Sequence, residues 1–147
     1  MTIRRTQTIV PYAAEEMFDL VADVEKYPEF LAHCVGLRVI SSNVVDGVGE
    51  LEADMLVAYS AFRDRFRSRV ALDRPNLKID VAYVNGPFRR LVNAWRFREI
   101  DEGSEIDFLI EFEFKNRLLQ ATASSVFERV FARMSDSFVR RAAELYR

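Results

Sequence analysis

The chain has 147 residues, half of them apolar and 30% charged, the length and balance of one globular domain with a sizeable core. One cysteine, Cys34, excludes an intrachain disulfide framework, and one histidine, His33, excludes a multi-histidine metal cage. A net charge of −2, from 21 basic and 23 acidic residues, gives no bulk attraction to nucleic acid or anionic membrane, and no apolar run reaches the length of a membrane span.

Thr2 to Val10 reads as a strand that ends at Pro11, which cannot donate to a ladder. Ala14, Met17, Phe18, Val21 and Val24 recur at spacings of three and four, predicting an amphipathic helix whose N-cap, Ala13, offers no side-chain oxygen. Pro28 forces a turn or opens a second short helix at its first position. The start, MTIRRTQTIV, lacks the apolar segment of a secretion signal and the composition of a transit peptide, so a cytoplasmic protein is expected.

From Val35 to Lys115 the period is two, although ISSNVVDGV around Ser41–Gly49 is poorly periodic. Leu51, Ala53, Met55, Val57 and Tyr59 share one face, with Glu50, Glu52 and Asp54 on the other. Phe66, Ser68, Val70 and Leu72 oppose Arg65, Arg67 and Arg69 in the next run. Leu77, Ile79, Val81 and Tyr83 align, as do Leu91, Asn93, Trp95 and Phe97 opposite Arg90, Arg96 and Arg98. The most regular run sets Ile106, Phe108, Ile110, Phe112 and Phe114 against Asp107, Glu111 and Glu113. These are consecutive antiparallel strands, apolar on one side and wet on the other.

Helical period returns at the end. Leu119, Ala123, Val126, Phe127, Val130, Phe131, Met134, Phe138, Ala142 and Leu145 form one stripe, with Asn116 as N-cap and Asp136–Arg140 as a pair on the polar side. From Leu118 to Tyr146 such a helix would be about 43 Å long. The chain is therefore read as one α+β domain, residues 1–147, with about seven antiparallel strands wrapped around a long C-terminal helix. A curved sheet encloses more volume than one helix fills, which predicts an interior cavity.

No sequence in the chain has the spacing of a known catalytic, nucleotide-binding or metal motif, so no catalytic residue and no metal site is expected. His33 and Cys34 are adjacent, and neighbours along a strand or helix point apart, so they read as a polar rim residue beside a buried thiol. The ladder Arg63, Arg65, Arg67 and Arg69 could meet phosphates, but the carboxylates of the preceding strand share its face. A two-residue turn at Ser60–Ala61 sets Asp54 against Arg67 and Glu52 against Arg69, and a turn near Glu102–Gly103 sets Arg98 against Asp107. Such exposed pairs contribute little.

The inner face carries the functional signal. Twelve Phe, five Tyr and one Trp give more ring volume than a plain core needs. Tyr59, Ser68, Tyr83, Asn93 and Trp95 lie in register with the apolar side chains, where burial demands partners. Apolar walls with a few fixed polar groups describe a ligand cavity. Its expected lining is Tyr59, Phe66, Val70, Tyr83, Phe88, Asn93, Trp95, Phe97, Phe108 and Phe112 from the sheet, with Phe127, Phe131 and Met134 from the helix.

MFDLVADVEKYPEFL followed by Cys34, then NGPFRRLVNAWRF, IDFLIEFEFKNRLL and SFVRRAAELY carry a family resemblance over nearly the whole chain. The chain resembles the helix-grip (START-like, Bet v 1-like) proteins, and within them the coenzyme Q-binding branch of the polyketide cyclase/dehydrase group, which includes bacterial ribosome-association toxins. Relatives commonly carry Pro-Trp before the cysteine, where Ala32-His33 stands here. If that Trp helps to close the cavity mouth, the gate here is smaller and more polar.

The resemblance implies a lipid chaperone that binds ubiquinone or a similar polyprenyl lipid in support of respiration, without enzymatic turnover and without a cofactor. Quinone carbonyls accept only, so they need donors such as Tyr59, Tyr83, Asn93 or Trp95. Candidate lid segments are Asn85-Gly86-Pro87-Phe88, with Phe88 as plug, and the turn containing Tyr27, Pro28 and Phe30. The expected partners are the hydrophobic ligand and, transiently, the inner-membrane surface or a respiratory complex, with no DNA. One alternative is a toxin-like protein that binds the large ribosomal subunit. Another is a polyketide cyclase or aromatase, which would need acid–base groups that the inward-facing set lacks.

Overall fold

The computed structural model describes residues 2–59 and 62–146, the side chains of Tyr59 and Phe62 excepted. Strand β1 (Thr2–Val10) leads to helix α1 (Ala14–Ala22), a 3-10 turn (Val24–Lys26) and helix α2 (Tyr27–Phe30). Strands β2 (Cys34–Ser42), β3 (Val48–Tyr59), β4 (Phe62–Asp73), β5 (Lys78–Asn85), β6 (Phe88–Ile100) and β7 (Gly103–Phe114) follow, then helix α3 (Arg117–Leu145). They form one antiparallel seven-stranded sheet in the order β1-β7-β6-β5-β4-β3-β2. The weak period around Ser41–Gly49 has a cause: β2 slips register twice against β3, and the chain then turns through the Val45–Val48 bridge.

Strand parity holds through β3 to β7 except at the start of β6, where a bulge after Phe88 brings Phe88 and Leu91 to the same face. Leu51, Ala53, Val57, Phe66, Val70, Leu72, Ile79, Leu91, Trp95, Phe97 and the five apolar residues of β7 are buried on one face. That face receives α3 through Ala123, Phe127, Val130, Phe131, Phe138 and Ala142. Leu145, expected in the same stripe, is 51% exposed in the terminal turn, beside a shallow depression shared with Leu20, Phe30 and Arg141.

Helix ends follow local chemistry. Asn116 Oδ1 accepts from the Leu118 N–H at 2.7 Å, which starts α3 one residue before the expected Leu118. The ion pairs of its last turns run from Arg141 to Glu144 at 3.2 Å and to Glu29 at 3.3 Å; Asp136–Arg140 is not among the pairs of the described residues. At α1 the Ala13 cap is supplemented from outside. Glu16 accepts from the Ala13 N–H at 3.1 Å, and Glu99 of β6 accepts from the Ala14 N–H at 2.7 Å. Pro28 occupies the second rather than the first position of α2, where its missing N–H is equally harmless.

The β3–β4 register is the expected one, with Arg67 on Asp54 at 2.8 Å and Arg69 on Glu52 at 2.8 Å; the turn residues Ser60 and Ala61 lie outside the described residues. The β6–β7 register is not. The turn is Asp101–Glu102, so Arg98 faces Glu105 at 3.0 Å, and Asp107 takes its ion pair from Arg5 at 2.7 Å. Gly103 explains the shift: it opens β7 at φ +139°, and a Cβ there would lie 2.1 Å from the Val10 carbonyl oxygen. Glycine must therefore occupy the first paired position rather than the turn.

Helix α3 packs chiefly on β7 and β1, and also against α1 and α2. The β3–β5 half of the same sheet face has less helix above it. The interior space lies there.

Candidate ligand-binding cavity

A cavity of about 70 Å³ lies between the sheet and α3. Val24 and Tyr27 form one end; Ala53, Met55, Phe66, Ser68, Val70, Ile79, Val81, Leu91, Asn93, Trp95 and Ile110 form the sheet wall, Leu37 the β2 edge, and Phe131 and Met134 the helix side. This is well below the roughly 300–1,000 Å³ that holds a drug-sized ligand, so anything larger than a small ring enters by spreading the walls. Leu37, Met55, Val81 and Met134 are only half-buried and mark the side nearest solvent. Two of these four are unbranched methionines, which adapt at low cost to a new shape.

Of the residues expected to line a cavity, Phe66, Val70, Asn93, Trp95, Phe131 and Met134 do so. The tyrosine of that set at position 59 has its side chain outside the described residues. Phe88, Phe112 and Phe127 instead fill the adjoining space. Phe88 is fully buried, stacked 4.8 Å from Phe114 and edge-on to Phe66, Tyr83 and Phe127 at 5.7, 5.7 and 5.3 Å. Phe97 and Phe108 back the wall, 6.1 and 4.7 Å from the Trp95 ring. Rings complement rings here, so aromatic excess is spent largely on packing.

The expected lid segments are anchored to their surroundings. Tyr27 is 8% exposed and its phenol donates to the Val21 carbonyl. Phe30 packs 5.3 Å from Phe138 beneath the Arg141 guanidinium, and Pro28 is exposed beside it. Gly86 and Pro87 are half-buried, and the Lys115 N–H donates to the Pro87 carbonyl at 3.0 Å.

The polar groups of the inner face are mostly satisfied by one another. Trp95 Nε1 donates to Asn93 Oδ1 at 3.1 Å, and Asn93 Nδ2 donates to the Leu109 carbonyl at 2.8 Å. The Tyr83 hydroxyl accepts from the Phe88 N–H at 3.0 Å. Of the donors expected to greet a ligand, the indole N–H is thus fully engaged inside the protein and the Asn93 amide partly so, whereas the Tyr83 hydroxyl is bonded only as an acceptor. Ser68 differs: it is 7% exposed, lines the cavity, and its Oγ has no hydrogen-bond partner.

Among the described residues, the lining contains no Asp, Glu, Lys, Arg or His. Among the described residues, no group of three or more His, Cys, Asp or Glu is placed to hold a metal. Cys34 is 5% exposed, its Sγ donates to the Gly36 carbonyl at 3.6 Å, and burial pushes its pKa up to about 11. At neutral pH it is a protonated thiol without nucleophilic character.

Sequence parity places Ala53, Met55, Ile79, Val81, Leu91 and Ile110 on the inner face, but ring volume weights the expected lining towards aromatic positions and passes over these six. Leu37 gave less signal still, because β2 is bulged on both sides of it.

Comparison with known proteins narrows the setting. A family model described as polyketide cyclase / dehydrase and lipid transport matches residues 10–139. The ribosome association toxin RatA of Escherichia coli K12 is 37% identical over 145 residues, 98% of this chain and 88% of that one. The mitochondrial coenzyme Q-binding protein COQ10 of Drosophila melanogaster is 27% identical over 89% of this chain and 54% of that one. The Zhui aromatase/cyclase of a Streptomyces species superposes with a TM-score of 0.83 over 99% of this chain and 97% of that one, and its 15% identity makes the likeness one of fold. That fold is the helix grip. With one family model covering most of its length and a relative above a third identical along nearly all of it, the chain belongs to the polyketide cyclase / dehydrase and lipid transport family.

Proposed function

We propose that the protein is a non-enzymatic carrier that shields a prenylated quinone, ubiquinone or a near relative, from water. The observation that carries this reading is the apolar cavity beside α3, which has half-buried methionines on its solvent side and, among the described residues, no Asp, Glu, Lys, Arg or His in its wall. Such a cavity suits a ligand that is mostly hydrocarbon. Each buried methylene of an isoprenoid tail contributes about 0.8 kcal/mol, so a few units outweigh the cost of immobilising the chain. A wall without an acid–base pair offers nothing to run a cyclisation or dehydration. The family's description and the coenzyme Q-binding relative supply the ligand class. The proposed place of work is the cytoplasm, at the inner-membrane surface where such a lipid is collected. No cofactor is required.

Organic extraction of protein purified under native conditions, followed by mass spectrometry, tests the reading. A prenylated quinone in the extract, or saturable uptake by the emptied protein, is expected. An extract free of quinone together with no uptake would refute it.

A second reading is association with the ribosome, at its large subunit; the relatives are named for ribosome association alone. One observation favours it. Arg67 and Arg69 are neutralised by Asp54 and Glu52, but Arg63, Arg65, Arg89, Lys115 and Arg117 form no salt bridge among the described residues. The β4 start, the β5–β6 turn and the β7–α3 junction bring these five to one end of the sheet, with Lys115 bonded to Pro87. Contacts of this kind to phosphates weaken steeply with salt. Co-sedimentation with 50S subunits that fades from low to high salt, and fades further in Arg63→Glu/Arg65→Glu, would support it; no co-sedimentation at any salt would remove it.

A further inference from the structure

Among the polar side chains facing the cavity, Ser68 stands apart. Trp95, Asn93 and Tyr27 each have a partner within the protein, whereas Ser68 Oγ has none at 7% exposure. An unpartnered buried hydroxyl destabilises the empty protein; the Thr6 and Ser104 hydroxyls share that lack, but of the three Ser68 alone lines this cavity, where a partner can arrive from outside. Backbone geometry singles out the same place: the β4–β5 ladder slips register between Arg67 and Ser68, directly where Ser68 pairs with Tyr83. Bulges of this kind re-aim side chains next to binding sites.

We infer that Ser68 is the polar anchor of the cavity, its hydroxyl donating to a carbonyl oxygen of the bound head group. The inference rests on the quinone reading above and adds an orientation to it. A quinone ring offers acceptors only, which match a hydroxyl donor at mid-sheet. The space beside Ser68 takes little more than a ring, so the tail leaves on the solvent side, between Met55 of β3 and Met134 of α3. Binding is thus ring-inward and tail-outward. A hydrocarbon of the same length fits the walls and leaves Ser68 as unsatisfied as before.

The test uses the full chain as wild type, Ser68→Ala and Ser68→Thr, with decylubiquinone carrying ¹³C-labelled carbonyls and with decylbenzene. Wild-type protein should shift one carbonyl infrared band of the bound quinone to lower frequency. Ser68→Ala should lose that shift and bind the quinone about tenfold more weakly, with decylbenzene uptake unchanged, and Ser68→Thr should restore the band. The ligand-free Ser68→Ala protein should melt a few degrees higher than wild type, because an unpaired buried hydroxyl is gone. A serine that serves structure would give a lower melting temperature instead. Equal quinone affinity and unshifted carbonyl bands in wild type and Ser68→Ala would overturn the anchor and leave the carrier reading standing. Uptake of neither ligand by wild type would overturn both.

Discussion

Trp95 and Asn93, two residues apart on β6, are hydrogen-bonded to each other across the inner face of the sheet: the indole Nε1 donates to the amide Oδ1 at 3.1 Å. The amide then donates to the Leu109 carbonyl of β7 at 2.8 Å. This relay turns two apparent ligand donors into part of the wall. It also fixes the Trp95 ring, on which Phe97, Phe108 and Phe138 pack. Asn93→Ala leaves a buried indole N–H without its acceptor, so a loss of about 2–4 kcal/mol in urea unfolding is expected. A change below about 0.5 kcal/mol would show that the relay contributes nothing beyond water's alternative.

Ala53 faces the cavity from β3, paired with Ser68 across the ladder. Ala53→Leu places three further carbons in existing space. Stability should rise by about 1 kcal/mol while quinone uptake disappears. Uptake at the wild-type level in a stable Ala53→Leu protein would put the ligand elsewhere.

Burial holds the Cys34 thiol at a pKa of about 11. In the unfolded chain a thiol loses its proton near its ordinary value, so the folded state binds the proton more tightly. The resulting stabilisation is fully present below the unfolded value and declines as pH rises towards about 11. Native protein at pH 8 should react with a thiol reagent at least a hundredfold more slowly than protein in denaturant, and Cys34→Ala should flatten the alkaline fall in stability. Rapid labelling of native protein would mean that the β2 edge opens readily.

At the acid end the sign reverses. The hydrogen bond from Arg67 holds Asp54 below the ordinary carboxylate range, and Arg5 does the same for Asp107. Each stabilises the fold above the unfolded carboxylate pKa, and the effect is lost as pH falls through the depressed folded values. Asp54→Asn should lower the melting temperature more at pH 7 than at pH 2.5. Equal losses at both values would indicate a packing role in place of an electrostatic one. Because these pairs are partly solvated, the pH 7 effect is small and shrinks further in salt.

What the sequence discloses here is set by how local each signal is. Strand parity is a two-residue property, and Leu51, Phe66, Trp95 and Phe112 could be assigned to the inner face from it. The Asp54–Arg67 register needs one turn length and was legible. The Arg98–Glu105 register was not, because it depends on Gly103 passing under the Val10 carbonyl, a contact with the distant first strand. Likewise the hollow was foreseeable from sheet and helix, but its extent was not. Phe88, Phe114 and Phe127 close on one another and remove volume that ring counting assigned to a ligand. Ser68 is distinguished from Tyr83, Asn93 and Trp95 on that face only by lacking the partner that those three find.

Trp95 is the single tryptophan of the chain and lines the cavity, so its emission reports directly on occupancy. Quinones quench indole fluorescence at contact. Titration of ligand-free protein with decylubiquinone should quench Trp95 to a plateau at one equivalent, and Ala53→Leu should abolish the quenching. Emission that stays constant, or falls linearly without saturation as for a free indole in solution, would contradict a quinone held against this wall.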